Sequence, residues 1–248
     1  GASDFITKPG DATEIVLRTT NFLRTRRLYQ SLSSYADQLE SMVHERTQEL
    51  IHAQVEMVER LSYVAEYHDD ETGAHAKRVG RLSSLIALKL GMSIHEASTL
   101  ELAASLHDLG KVAIPDAILK KPGKLETSEF EQMKSHTLLG ARILMGSRSR
   151  ILILAEAIAL SHHERWDGTG YPSGLAGEDI PLCGRICCVA DSYDALISDR
   201  IYRRGVSHDE AVKEIQRCTG RQFDPTVVEA FLSVVDILRE QEDELLAA

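Results

Sequence analysis

The sequence is poor in aromatic residues, proline and cysteine. Phe, Trp and Tyr make up 5% of its 248 residues, and there are 6 prolines and 4 cysteines. The cysteines stand at positions 183, 187, 188 and 218 and include no Cys-x-x-Cys pair. A thiolate zinc site is therefore not expected, and the cysteines are interpreted as small buried hydrophobic residues. The rest of the composition, rich in helix-forming residues, is typical of a soluble globular protein.

Long hydrophobic runs and an excess of basic residues are also missing. The longest apolar run, residues 151–160, is interrupted by Glu156 and is shorter than the roughly 20 residues that span a bilayer. The N-terminus is polar and lacks the hydrophobic segment of a signal peptide, so we expect a cytoplasmic protein that does not enter a membrane. The net charge of -10 argues against a nucleic-acid polymer or a membrane surface as partner, because phosphate-rich partners require basic patches.

Residues 1–27 differ in pattern from the rest of the chain. A short apolar run ends at Lys8-Pro9, and a helix is expected from Asp11 to about Arg27. This pattern resembles the last strand, Lys-Pro turn and final helix of a response-regulator receiver domain, with Lys8 at the position of that family's active-site lysine. The resemblance implies a receiver-domain remnant and a sensor histidine kinase as partner. The alternative is an ordinary strand, turn and helix; in either case the phosphoacceptor aspartate is missing from this sequence.

Residues 28–67 contain no proline or glycine and carry a heptad-like stripe. Apolar residues alternate at spacings of four and three at Leu28, Leu32, Tyr35, Leu39 and Met42. The stripe is interrupted at position 46 and then resumes, which predicts a stutter. We expect a linker helix that forms a parallel homodimeric coiled coil; the alternative is a helix packed on its own domain.

Residues 68–248 show helical spacing of apolar residues nearly throughout. One long stretch, residues 163–183, is instead rich in glycine, and a loop of this length inside a domain is usually functional. The predicted fold class is all-α, a helical bundle preceded by a long coiled-coil helix and a truncated receiver-domain tail. The expected helices of the bundle are Val79–Leu90, Ile94–Leu109, Ser128–Leu144, Ile151–His162, Arg185–Leu196, His208–Arg217 and Pro225–Leu245.

Histidines and carboxylates recur at the edges of these apolar helices. Glu71 and His75 lie four residues apart, so they project from one helix face. Taken singly, each such residue has a simpler explanation, such as helix capping or a buried His–Asp pair. Taken together, they are typical of a metal centre in a helical bundle. The full set is Glu71, His75, His107, Asp108, His136, His162, His163 and Asp191. It exceeds the needs of one ion, so we expect two or three, with Asp108 as a bridge; nitrogen and oxygen ligands suit Fe, Mn, Zn, Ni or Co.

Among the motifs that resemble the HD-GYP subgroup of the HD-domain phosphohydrolases, three contain predicted site residues. They are His107-Asp108-Leu-Gly-Lys111, His162-His-Glu-Arg-Trp-Asp-Gly-Thr-Gly-Tyr-Pro172 and Val189-Ala-Asp-Ser-Tyr-Asp-Ala-Leu196. The resemblance covers about residues 70–232. It implies an all-helical HD-type fold, hydrolysis of c-di-GMP to pGpG and often onward to GMP, and the eight metal ligands given above. A glutamate at position 71 implies the trinuclear type, and Fe or Mn is favoured among divalent transition metals. The chain departs from the family at Ile201, where proline is common.

The remaining site residues follow from the chemistry of phosphodiesters. Lys111 is expected to contact a phosphate oxygen or help to protonate the leaving group, beside Asp108. Asp194, one turn after Asp191, is expected to orient a ligand or water. Arg200 and Arg203 are candidates for binding phosphate; a solvated side chain is the alternative for each of these cations. Tyr171 is expected to stack on guanine or to anchor its loop.

Two other functions remain open from the sequence alone. The first is a catalytically weak module that senses c-di-GMP and signals through protein partners; the completeness of the ligand set counts against it. The second is a phosphomonoesterase acting on other nucleotides, which the glycine-rich loop and the double histidine oppose.

Overall fold

The computed structural model describes residues 12–68, 74–199 and 204–235, and the regular elements of these ranges are helices. No strand occurs within them, so the predicted all-α fold class is confirmed. The helices are α1 (Ala12–His68), α2 (His75–Lys89), α3 (Ile94–Ala104), α4 (Asp116–Leu119), α5 (Thr127–Lys134), α6 (His136–Leu144), α7 (Arg150–Ser161), α8 (Leu182–Ile197), α9 (His208–Arg217) and α10 (Pro225–Leu232). Short 3₁₀ turns occupy Leu109–Ala113 and Gly177–Asp179.

Helix α1 runs for 57 residues and takes part in two compact units, which divide between Gln54 and Val55. In the first unit the predicted heptad stripe is solvent-exposed, at Leu28, Leu32, Tyr35, Leu39 and Met42. In the second unit the last turns of α1 become buried, at Val58, Ser62, Ala65 and Glu66. The strand-like residues 1–9 lie outside the described part of the chain. The division into residues 1–27, 28–67 and 68–248 stays a prediction.

The core of the second unit is built around α2, α7 and α8. Helix α2 packs against α3, α8 and α10, and α7 packs against α3, α6 and α8. On α2 the buried side chains Val79, Leu82 and Ile86 recur every three or four residues and face Leu100 and Ile158 in the same apolar cluster. Burial of each such side chain stabilises the fold by roughly 1.5–3 kcal/mol. This core fixes the helix ends on which the polar residues stand.

Three of the expected helices are interrupted before their predicted ends. The expected helix Ser128–Leu144 is divided at Ser135 into α5 and α6, and the expected helix Ile94–Leu109 ends at Ala104. Each break lies just before a histidine, His136 or His107. Helix α10 ends at Leu232, inside the expected helix Pro225–Leu245. Residue 235 is helical again and residues 236–248 lie outside the described range, so the expected end at residue 245 stays a prediction. No helix in the described ranges has both the length and the apolar character to cross a membrane.

Candidate metal centre

Two groups of potential ligands share one aspartate. Asp108, His136, His162 and His163 form one group, and His75, His107 and Asp108 form the other; within each group the ligand atoms lie within 4.8 Å of one another. The Oδ1 atom of Asp191 lies 3.4 Å from His75 Nε2 and 3.8 Å from His107 Nε2. The structure therefore brings together seven of the eight predicted ligands. The eighth, Glu71, lies outside the described residues.

The ligands come from five segments of the chain. His75 is the first residue of α2, His136 is the first of α6, and Asp191 lies in α8. His107 and Asp108 follow α3, and His162 and His163 follow α7. Most of these side chains stand at or just beyond helix ends, and Asp191 projects from the middle of α8, so five segments bring polar groups together inside the bundle.

A close backbone contact holds Asp108 beside His136. The 3₁₀ turn after Asp108 packs directly on α6, where a Cβ atom added to Gly110 would lie 1.9 Å from His136 O and 2.4 Å from Gly140 N. Any side chain at position 110 would push these segments apart, so glycine is required there. The glycine in His107-Asp108-Leu-Gly-Lys111 is thus part of the ligand geometry.

Three imidazoles are oriented by their own backbone. The Nδ1 atoms of His107, His136 and His162 lie 2.8, 2.8 and 3.0 Å from carbonyl oxygens of the preceding turn, which belong to residues 104, 133 and 158. Since a carbonyl only accepts, each Nδ1 carries the hydrogen, and each Nε2 presents a lone pair to the cluster; this tautomer is inferred from the hydrogen bonds. In metal-binding histidines, a hydrogen bond from the ring nitrogen that does not bind the metal fixes the orientation of the ring and raises its basicity.

His75 is oriented by a carboxylate instead. Its Nδ1 lies 2.7 Å from Asp194 Oδ2, and Arg78 donates to both oxygens of the same aspartate. Asp194 is buried, which raises its pKa, but the hydrogen bonds from His75 and Arg78 outweigh burial and hold the pKa below its ordinary value. Asp194 is therefore in a position to orient His75, and the role that the sequence predicts for it stays a prediction.

Electrostatics keep two of the imidazoles and the shared carboxylate in the protonation states that a cation requires. Burial lowers the pKa of His136 to about 4, and burial together with His162 lowers the pKa of His163 well below its ordinary value. Burial alone would raise the pKa of Asp108, but Lys111 and His107 bring it well below the ordinary value. Neutral imidazoles and an ionised carboxylate are the forms that bind metal ions. His107 differs, because burial lowers its pKa but Asp108 and Asp191 together raise it above its ordinary value.

Some of these donor atoms lack the hydrogen-bond partners that buried polar atoms need. The Nε2 atoms of His136 and His162 lie 3.4 Å apart with a lone pair on each. Within the described ranges, His107 Nε2 and Asp108 Oδ1 are buried without a hydrogen bond. Facing lone pairs repel, and an unpaired buried polar atom costs about 1–3 kcal/mol, so a cation between them fits this arrangement. The nitrogen and oxygen donors suit a divalent transition-metal ion.

The predicted substrate residues divide into two sets. Lys111 Nζ lies 2.9 Å from Asp108 Oδ2, and the Tyr171 ring packs on the imidazole of His163 with centroids 4.8 Å apart and planes inclined by 30°. Both thus stand at the cluster. Arg200 and Arg203, like Ile201, lie outside the described residues.

Sequence reasoning missed Glu164, which organises the glycine-rich loop. Its buried carboxylate accepts hydrogen bonds from the backbone N–H groups of Ser173, Gly174 and Leu175. The loop thereby folds back over His163, and the same turn carries Tyr171. The available signal was a carboxylate placed directly between the double histidine and a glycine-rich segment.

The end of α1 was also missed. Glu66 accepts a hydrogen bond from the backbone of Ala76 at the start of α2, and Ser62 donates one to the carbonyl oxygen of Ser105, two residues before His107. These residues help to line a cavity of about 10 Å³, sufficient for about one water molecule. Its walls also include His75, His107, Asp108 and Lys111.

An all-helical bundle with two imidazole–carboxylate groups joined by one aspartate defines a metal-dependent hydrolase of the HD type. The HD domain family profile matches residues 56–227. The chain belongs to the HD domain family, and its sequence relatives place it among the HD-GYP phosphodiesterases.

Two characterised relatives are similar over nearly the whole chain. A cyclic di-GMP phosphodiesterase of Thermotoga maritima is 44% identical over 98% of this chain and 69% of that protein. The cyclic di-GMP phosphodiesterase response regulator RpfG of Xanthomonas campestris is 42% identical over 94% of this chain and 61% of that protein. The chain thus spans about two thirds of the length of these relatives.

A solved structure supports the fold. The cyclic GMP-AMP specific phosphodiesterase V-cGAP3 of V. cholerae superposes with a TM-score of 0.56 at 22% identity, over 73% of this chain and 48% of that one. At this level of identity the similarity concerns the arrangement of the helices alone.

Proposed function

We propose that this chain hydrolyses c-di-GMP to pGpG, to GMP or to both. The observation that carries the proposal is the pair of ligand groups that share Asp108. A phosphodiester is anionic and has a poor leaving group, so its hydrolysis requires concentrated positive charge and a nucleophile at neutral pH. The relatives named above as c-di-GMP phosphodiesterases support the choice of substrate.

The proposed cofactors are two or three divalent transition-metal ions, with Fe or Mn favoured and Zn, Ni or Co as further candidates. His136, His162 and His163 would hold one ion, and His75, His107 and Asp191 another, with Asp108 between them. Glu71 is proposed as a ligand of the third. Such ions supply charge neutralisation at phosphoryl oxygens and lower the pKa of water.

The chain's own side chains would complete the reaction. Lys111 is close enough to Asp108 to reach a substrate phosphate beside the cluster and to move a proton toward the leaving oxygen. Asp194 is proposed to keep His75 oriented throughout. Arg200 and Arg203 are proposed to bind the substrate's phosphates, and Tyr171 to contact a guanine base. The positive charge of bound ions and these cations would offset the chain's net charge of -10 for an anionic substrate.

Turnover by purified, metal-reconstituted protein tests this function. The protein is loaded separately with Fe, Mn, Zn, Ni or Co, incubated with c-di-GMP or 3'3'-cGAMP, and the products are separated by chromatography. Release of pGpG or GMP, lost in Asp108→Ala, is the expected result. Tight binding of c-di-GMP without product would instead support the sensing module, and preference for 3'3'-cGAMP would overturn the substrate assignment.

The first unit suggests how the enzyme is assembled and controlled. We propose a homodimer through the exposed stripe of α1, and a receiver domain ending at about residue 27 that is phosphorylated by a sensor histidine kinase. Similarity to a response regulator over 94% of this chain supports this arrangement. The cytoplasmic location expected from the sequence stays a prediction.

The dimer is tested by sedimentation of Leu32→Glu combined with Leu39→Glu, both on the stripe. The expected result is a monomer, whereas Gln30→Glu, on the face of the same helix opposite the stripe, leaves the wild-type mass unchanged. A double variant that sediments with the wild-type mass would contradict the coiled coil.

A further inference from the structure

A row of rings leads from the ligand cluster to the protein surface. His163 belongs to the ligand group around Asp108, and Tyr171 packs against it. Phe130 meets Tyr171 edge to face, with centroids 6.4 Å apart and planes inclined by 78°. Phe130 is 45% exposed, so the row ends at solvent.

Lys134 lies beside the outer end of this row. Its ammonium is 5.0 Å from the centre of the Phe130 ring and 5.5 Å from that of Tyr171, within the range of cation–π attraction. Lys134 also pairs with Glu131 at 2.7 Å on the exposed side of the helix. The three side chains therefore form one surface, the Phe130–Lys134 platform, which consists of Phe130, Lys134 and Tyr171.

Packing in the hydrophobic core does not explain why an aromatic residue stands at position 130. Helix α5, whose eight residues are all described, buries none of them, so Phe130 is not part of the core. The helix is nevertheless fixed relative to the cluster. Lys134 is its last residue, and His136 begins the next helix after a single intervening serine, with its Nδ1 bonded to the carbonyl oxygen of Met133. The platform thus keeps a constant position relative to the metal ligands.

The chemistry of the platform matches that of a nucleotide. An exposed aromatic face stacks on bases, and an adjacent ammonium attracts the phosphate. The row of rings connects the cluster with this exposed ring, so a base attached to a phosphodiester at the cluster would have a stacking surface along the same row. We propose that Phe130 and Lys134 form the subsite for a purine base and the neighbouring phosphate of the cyclic dinucleotide, and that they determine selectivity over small diesters. This inference rests on the proposed function and adds Phe130 and Lys134, which the proposed function does not use.

Selectivity measurements on metal-loaded variants test the subsite. For Phe130→Ala, the ratio of kcat/KM for c-di-GMP to kcat/KM for methyl p-nitrophenyl phosphate, a small diester without a purine, is expected to fall roughly tenfold, mainly through the KM for c-di-GMP. Phe130→Trp restores the ratio because it retains a stacking face. Leu138→Ala, another exposed apolar residue on the next helix, leaves the ratio unchanged.

Charge is tested in the same way at position 134. Lys134→Gln raises the KM for c-di-GMP, and the effect decreases at high salt because ions screen the lost attraction. Lys134→Arg retains the wild-type KM within a few fold, and Lys213→Gln on α9 serves as the charge-matched control. The subsite would be overturned if Phe130→Ala and Lys134→Gln lowered kcat/KM equally for both substrates, or if neither changed the ratio of the two values. The two residues would then have a structural role only.

Calorimetric titration with c-di-GMP separates the subsite from the proposed reaction. Weaker binding by Phe130→Ala than by wild type, with no product from either, supports the subsite while the hydrolytic function fails. Equal binding by the two proteins, with product released, overturns the subsite alone. Absence of binding by the wild-type protein overturns both.

Discussion

The Nδ1 atom of His75 lies 2.7 Å from Asp194 Oδ2, and the opposite nitrogen of the same ring lies 3.4 Å from Asp191 Oδ1. Two carboxylates one helical turn apart on α8 thus contact the two ends of one imidazole. Asp191 faces the ligand cluster, whereas Asp194 is bound by Arg78. Helix α8 thus carries both a candidate ligand, Asp191, and the carboxylate of Asp194, which contacts His75 from the other side.

Asp194→Asn is expected to weaken metal binding on the His75 side by about 10–100-fold, because both the His75 ring and Arg78 lose a charged acceptor. Competition with a coloured chelator measures the affinity, and elemental analysis measures the bound metal. Asp179→Asn, at an exposed position on the glycine-rich loop, is the control. Retention of full affinity in Asp194→Asn would contradict a role of the Asp194 charge in orienting His75.

Asp108→Ala is expected to remove metal from both ligand groups, because both use its carboxylate. His163→Gln affects one group, so the protein retains the ion held by His75, His107 and Asp191. Metal-to-protein ratios after dialysis distinguish the two results. Equal loss in the two variants would contradict two separable positions.

Glu164→Ala is expected to reduce the free energy of unfolding by about 3 kcal/mol, because three backbone N–H groups lose one buried acceptor. Urea unfolding followed by circular dichroism measures the change. Glu178→Ala, exposed on the same loop, is the matched control and changes stability little. Comparable effects of the two substitutions would contradict a specific role for Glu164.

The metal-free protein is expected to lose stability as the pH falls from 7 to 5. Burial lowers the pKa of His136 from 6.5 to about 4, so between these values the unfolded chain binds a proton that the folded chain does not. Stability therefore decreases with decreasing pH, by about 2 kcal/mol at pH 5 for this residue. Urea unfolding in the presence of a chelator measures the change, and His136→Gln removes this contribution. An unchanged pH slope in that variant would contradict the assignment.

The clustering of these side chains could be anticipated because several of them stand beside apolar helices, whereas their role as metal ligands stays a prediction. His107, His136 and His162 each interrupt or end such a segment, where an unpaired imidazole would be costly. The sequence also indicates Asp194 through its one-turn spacing from Asp191. The roles of Glu71, Arg200 and Arg203 stay predictions, since these residues lie outside the described part of the chain.

The breaks at Ser135 and after Ala104 could not be predicted from periodicity. The spacing of apolar residues predicts a helix only when it is followed over several turns. A short interruption that keeps the apolar residues on the same face leaves this spacing unchanged. The role of Glu164 depends on the path of residues 173–175, which return to it nine to eleven positions later. The contact of Phe130 with Tyr171 likewise joins two segments 41 residues apart, and no local pattern records it.

The anchoring of α1 makes the ligand geometry sensitive to twist. Ser62 and Glu66 lie one turn apart on this helix and hold the backbones next to His107 and His75, respectively. With polar atoms at a radius of roughly 5–6 Å, rotation of the helix end by about 20° about its axis moves these anchors by about 2 Å. Because both anchors lie on one helix, such a rotation would move the backbones beside His107 and His75 together, relative to the candidate ligands His136 and His162 on other segments.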